Sequence, residues 1–154
     1  MSALSLKNLR SFQPGKVELT HANLVIAGQV VQELWNERQK EKFIRPTATR
    51  ENSCKFAALL ARELFGGTLA GNDEHVFLKH GDIIVDLNQD QPDVKALSAL
   101  AHIDIPPVLS SQAYLEALGS CVERVARWVP VAIQRIEGPA KTVKRHHDGE
   151  SLSR

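Results

Sequence analysis

Residues 75–87 constrain the chain most. His75-Val-Phe-Leu-Lys79 and Asp82-Ile-Ile-Val-Asp-Leu87 are two short β-rich runs, and His80-Gly81 between them carries a glycine. Such a pattern predicts an antiparallel hairpin with a tight turn. With His80-Gly81 as the loop, Lys79 opposes Asp82 and Leu78 opposes Ile83. Phe77 then opposes Ile84, Val76 opposes Val85, and His75 opposes Asp86. Opposed residues point to one face with Cβ atoms about 4.5–5.5 Å apart. This register sets an imidazole beside a carboxylate. A slip of one residue would swap the faces.

Helices are expected on both sides of the hairpin. Residues 1–16 read as an irregular lead-in ending at Pro14-Gly15. Thr20 is the N-cap of a long helix with Leu24, Ala27, Val31, Leu34 and Trp35 at helical spacing. Phe43-Ile44-Arg45-Pro46 ends it, since the residue before proline disfavours the α region. After a polar connector, 46–53, a second helix runs from Cys54 to Phe65. Asn52 or Ser53 caps it and Gly66-Gly67 stops it. Cys54, Ala57, Ala58, Ala61 and Leu64 share one face, and a Gly-rich connector follows. Pro92 to Ala101 reads as a short helix and 103–109, with Pro106-Pro107, as a loop or edge segment. Ser110 or Ser111 caps a last helix carrying Tyr114, Leu115, Leu118, Val122, Val125 and Trp128. Pro130 bends or restarts it. The fold class expected is α+β: a small antiparallel sheet packed by helices, one domain over 1–137, and a disordered basic tail over 138–154.

Charge and cysteine content narrow the function classes. Nineteen Lys and Arg against 18 Asp and Glu leave a formal charge of +1, which gives no field to steer the molecule onto nucleic acid or an anionic membrane. Aromatics at 5% are too few for a base-stacking platform. No run of about 18 apolar residues offers a membrane span, and the first ten residues carry no signal peptide, so a cytoplasmic setting is expected. Cys54 and Cys121 form no CxxC pair and no disulfide framework, which excludes a thiolate zinc site.

Cys121, between Leu118 and Val122, reads as a packing residue. Cys54 is different. It starts a helix, where free N–H groups and the helix dipole favour an anion and so a thiolate. The helix and a short link return the chain to His75, which lets Cys54 meet the His75/Asp86 face. In that arrangement Cys54 attacks, His75 moves the proton and Asp86 orients the ring.

Asn52-Ser-Cys54-Lys-Phe-Ala-Ala, Gly66-Gly67, His75-Val-Phe and Val85-Asp86-Leu resemble the core of the papain-like and transglutaminase-like superfamily. The resemblance covers about residues 50–90. It implies a cysteine nucleophile at a helix N-terminus, Cys54, followed by a base, His75, and an orienting acid, Asp86, on adjacent antiparallel strands. It also implies amide-bond chemistry without a cofactor. Members include peptidases, amidases, deamidases, arylamine N-acetyltransferases, transglutaminases and deamidating toxins, so a secreted effector is a further option. The substrate implied is a protein or peptide amide. The resemblance supplies no side-chain oxyanion donor; the candidates are the Cys54 backbone N–H and, among side chains, Asn52, Gln39 or Gln32.

Other readings stay open at this level. A non-catalytic interaction module could keep the same fold, its long helices binding a partner or a second copy. His75, Asp86 and Asp73 could hold a metal. His80 reads as turn surface. The basic stretch at Lys141, Lys144, Arg145, His146 and His147 reads as a solvated tail or a contact for an acidic partner or nucleic acid. Trp35 and Trp128 read as core anchors.

Overall fold

The computed structural model describes residues 12–147, with side chains through Gly138. The chain is α+β. The elements are β1 (Gln13–Pro14), α1 (His21–Glu41), α2 (Cys54–Phe65), β2 (Gly66–Gly71), β3 (Val76–His80) and β4 (Ile83–Val85). There follow α3 (Pro92–Lys95), a 3-10 turn (Ser98–His102), α4 (Pro106–Leu109) and α5 (Gln112–His147). The four strands form one antiparallel sheet in chain order, β1-β2-β3-β4. Among the described residues no helix is long and apolar enough to cross a membrane.

Helix α1 begins where the sequence puts it. The Thr20 hydroxyl accepts from the Asn23 N–H at 3.1 Å, a regular N-cap. Ser111 does the same for α5, its hydroxyl accepting from the Tyr114 N–H at 3.2 Å. Helix α2 has no solvent stripe: every residue from Phe56 to Phe65 is buried. It lies between the sheet on one side and α1 and α5 on the other. Leu59, Leu60 and Leu64 are each at most 1% exposed, and full burial of such a side chain favours folding by about 1.5–3 kcal/mol. Phe56 sits between Trp35 and Trp128, with ring centroids 5.5 Å from each.

Several local expectations are corrected. The Gly-rich stretch after α2 is a strand, β2, and not a connector. Glycine makes it possible: a Cβ on Gly67 would stand 2.4 Å from the Lys79 carbonyl oxygen, so β2 and β3 approach only as bare backbone allows. Gln13 and Pro14, expected to be irregular, pair with Gly67 and Gly66. The hairpin loop is Gly81-Asp82, and His80 pairs with Ile83 at the end of β3. Gly81 has φ +66, and a two-residue hairpin loop favours glycine with positive φ at its first position. His80 is thus a strand residue, packed edge-on against Phe12 at 5.8 Å.

The helix expected over 92–101 breaks into α3 and the 3-10 turn, where Ser98 takes φ +57. Pro106-Pro107 open the one-turn helix α4, a position that needs no proline N–H. Helix α5 runs through Pro130 without a break. Its one non-helical residue is Gly138, φ +74, directly before Pro139, so helical backbone resumes to His147 within the segment expected to be disordered. Residues 148–154 of that tail lie outside the described residues.

Candidate active site

The connector 50–53 is stitched to the chain that leaves β4. Arg50 donates from its backbone N–H to Gln91 (2.8 Å), from Nε to Asn88 (2.9 Å), and from its guanidinium to the Leu87 carbonyl and to Gln32. Asn88 donates to the Ser53 hydroxyl at 2.9 Å, and the Asn52 N–H donates to Asp93 at 2.9 Å. Ser53 and Asn88 are fully buried. Asn52 takes φ +74, a left-handed conformation that asparagine tolerates, just before the helix. These bonds fix the start of α2, and with it Cys54, against the end of β4, where Asp86 stands.

Asn72 holds the other wall. Its Oδ1 accepts the backbone N–H groups of Glu74 (2.8 Å) and His75 (3.1 Å). Its Nδ2 donates to the carbonyls of Ile103 (2.7 Å) and Leu100 (3.2 Å). One buried amide therefore places both His75 and the 3-10 turn that ends in His102.

Cys54, His75 and Asp86 come together. His75 Nε2 is 2.7 Å from Asp86 Oδ2, with both side chains at most 3% exposed. Asp86 Oδ1 accepts the Asn88 N–H at 2.9 Å. With Nε2 given to Asp86, the Nδ1 side of the ring is left free, and Cys54 lines the same cleft close enough for thiol and imidazole to shift each other's proton affinity. The expected register differs from this geometry by two positions: Leu78, not Val76, opposes Val85. A shift of two keeps the parity of each strand, so His75 and Asp86 remain on one face and meet diagonally.

The electrostatics follow from these contacts. Burial pushes the Cys54 thiol up. The His75 hydrogen bond, the Val76 backbone, the His75 charge and the Lys55 ammonium outweigh it, and the thiol lies below its ordinary value. Burial pushes His75 down, but the Asp86 and Cys54 bonds and charges carry it up to about 9. Burial likewise raises Asp86, and the bonds from His75, His102 and the Asn88 backbone hold it below the usual carboxylate value. The three shifts agree: they favour a thiolate–imidazolium pair backed by a carboxylate.

Cys54 is partly exposed, whereas Cys121 is buried. The thiol and His75 line a cleft of about 280 Å3 with Asn52, Lys55, Glu74, Asp93, Val94 and Leu97. A larger cavity, about 490 Å3, reaches Asp86 from the α1 side through Gln29, Gln32, Arg50 and Ile84, and neither Cys54 nor His75 lines it. Comparison with protein-family models, with curated proteins and with solved structures finds no match to this chain.

Of the side chains expected as oxyanion donors, Asn52 lines the cleft and the others do not. Gln39 accepts from Arg38 on α1 at 2.8 Å, and Gln32 is engaged with Asn36, Thr49 and Arg50. The Cys54 N–H lies in the first helical turn, which has no intrahelical acceptor to satisfy.

His102 is a member of the cluster that sequence reasoning missed. Its Nε2 is 2.7 Å from the same Asp86 Oδ2, and its ring lies edge-on to Phe77 at 5.0 Å. Nothing local marks it, since only the bend at Ser98 and the Asn72 bonds bring it there. Among the described residues His75, Asp86 and His102 are the group with metal-ligand character, and Asp73 has no part in it. Ligands on one tetrahedral zinc stand about 3.3 Å apart. The 2.7 Å contacts are hydrogen-bond distances, so an ion would have to open both.

Proposed function

We propose that this chain is a thiol-dependent hydrolase or acyltransferase acting on an amide bond, with a Cys54-His75-Asp86 triad of the papain-like and transglutaminase-like kind. One observation carries the reading. A partly exposed thiol at a helix start shares a cleft with a histidine that is hydrogen-bonded to a buried carboxylate.

The Cys54 thiolate attacks the amide carbonyl carbon, and the carbonyl electrons move to oxygen. The oxyanion is met by the Cys54 N–H and the Asn52 side-chain amide. The tetrahedral species collapses as His75 gives its Nδ1 proton to the leaving nitrogen. The C–N bond breaks and a Cys54 thioester remains. Water or an amine then attacks the thioester while His75 takes its proton, and the C–S bond breaks to regenerate the thiolate and imidazolium. Asp86 holds the ring with Nδ1 toward sulfur throughout. Water as acceptor gives peptidase, amidase or deamidase activity, and an amine gives transfer.

A peptide pool incubated with the chain and methylamine, read by mass spectrometry, separates these outcomes. Cleavage, deamidation or methylamine incorporation is expected, and is lost in Cys54→Ala and His75→Ala. Products identical in wild type and Cys54→Ala, or no Cys54-dependent product, contradict the reading and leave the non-catalytic interaction module.

A further inference from the structure

Asp86 Oδ2 has an unusual neighbourhood: two imidazoles lie on the same oxygen. An ionised carboxylate can only accept hydrogen bonds, so both His75 and His102 must present Nε2–H to it. The 2.7 Å distances are those of charge-assisted bonds. His75 is buried, whereas the His102 side chain is 28% exposed. The placement is not incidental, because Asn72, itself 4% exposed, anchors the backbone of both histidine segments.

We infer that His102 is a positioning residue that acts on His75 through Asp86, sharing the carboxylate and moderating its pull on the imidazole. The inference rests on the triad reading above and adds a fourth member to it. A second donor on Oδ2 withdraws electron density from the oxygen that stabilises His75 as imidazolium. Asp86 would be more basic without it, and would bind the His75 proton harder. Such a base would be slow to give the proton to a leaving amine, since an acid–base group works best with a pKa near the working pH. His102 thus brings His75 back toward useful basicity, while Asp86 keeps the ring oriented.

Asp86 would stay in place without His102. The Asn88 N–H and His75 still bind it, in a pocket where it is 3% exposed. Other charged groups around the cluster are unaltered by the change. Arg50 lies near enough to Asp86 to feel its charge, and Lys55, Glu74 and Asp93 line the cleft. Asp104, two residues beyond His102, accepts the Gly71 N–H.

The test is an NMR titration of labelled histidine rings in the full chain, comparing wild type, His102→Ala, His102→Gln and Cys54→Ala. Thermal melting of each variant reports folding. His102→Ala is expected to move the His75 titration upward by about half a pH unit, a few-fold change in proton affinity. His102→Gln, which keeps a neutral N–H donor, returns it toward wild type. A His75 titration that is unchanged or moves downward in His102→Ala overturns the inference, as does failure of His102→Gln to restore it. Cys54→Ala tests the underlying reading separately: it is expected to lower the His75 titration, and indifference to the thiol counts against the triad itself. Should His102→Ala melt too early to titrate, His102→Phe, which keeps a ring but no donor, takes its place: a His75 titration moved upward supports the proposal, and one unchanged or moved downward overturns it.

Discussion

His75 Nε2 and Asp86 Oδ2 are 2.7 Å apart although the two residues are not cross-strand partners. Asp86 follows Val85, whose partner is Leu78, three positions along β3 from His75. The contact is a diagonal one, made on a shared face and closed by the Asn88 N–H on the other carboxylate oxygen. This pairing sets the proton affinity of the ring beside the only partly exposed thiol among the described residues.

Replacing Asp86 by Asn removes the charge that favours imidazolium while keeping the shape. The imidazolium–thiolate pair then weakens. Alkylation of Cys54 by iodoacetamide near pH 6 should slow on the order of tenfold, the factor that one pKa unit represents. Stopped-time labelling with mass detection measures it, and an unchanged rate would mean that Asp86 does not govern the thiol.

Asp86 also links stability to pH. Its carboxyl is held below the usual value, so it favours the folded state above the unfolded carboxylate pKa of about 3.9 and loses that contribution as pH falls through the folded-state value. Urea midpoints measured from neutral pH downward should fall more steeply for wild type than for Asp86→Asn. Parallel curves would contradict the assignment.

The glycine in β2 nearest the site has a functional consequence. A Cβ on Gly71 would stand 2.5 Å from the His75 carbonyl oxygen, and the Gly71 N–H is held by Asp104. Gly71→Ala must push β2 and β3 apart beside His75. It is expected to destabilise the fold by about 1–3 kcal/mol, within the usual range for a disruptive substitution, and to slow Cys54 alkylation as well. Denaturant unfolding and labelling read the two effects on one sample.

Phe56 is the centre of the core between α1, α2 and α5. It is 8% exposed, with Trp35 and Trp128 on either side and the Arg38 guanidinium over its ring at 5.0 Å. Phe56→Ala should cost about 3–5 kcal/mol of stability in urea unfolding. A loss below about 1 kcal/mol would mean that the aromatic stack contributes little.

Much of this architecture is legible in the sequence, because strong local signals mark it. Thr20, Ser111 and the apolar spacing of α1 and α5 specify those helices, and Gly66 stops α2 where expected. The His75/Asp86 pairing is legible because the alternation of a hairpin survives a two-residue shift of register. What the sequence hides depends on distant partners. Strand β2 looks like a linker because its glycines are chosen for close backbone approach and not for strand propensity. His102 falls between the helix expected over 92–101 and the segment from 103, since its place comes from a break at Ser98 and from Asn72 some thirty residues earlier. Arg50 and Asn88 bind the start of α2 to the end of β4 through side chains whose partners no periodicity reveals.

The most direct test of the account is the pH dependence of iodoacetamide labelling at Cys54, with Cys121 as the internal comparison. Burial pushes the Cys121 thiol up and leaves it 4% exposed, so it should label slowly at neutral pH. Cys54 should react at pH values below the ordinary thiol pKa of about 8.5, and His75→Ala should move that reactivity up to the ordinary range. A Cys54 profile that follows an ordinary thiol and does not change in His75→Ala would contradict the account.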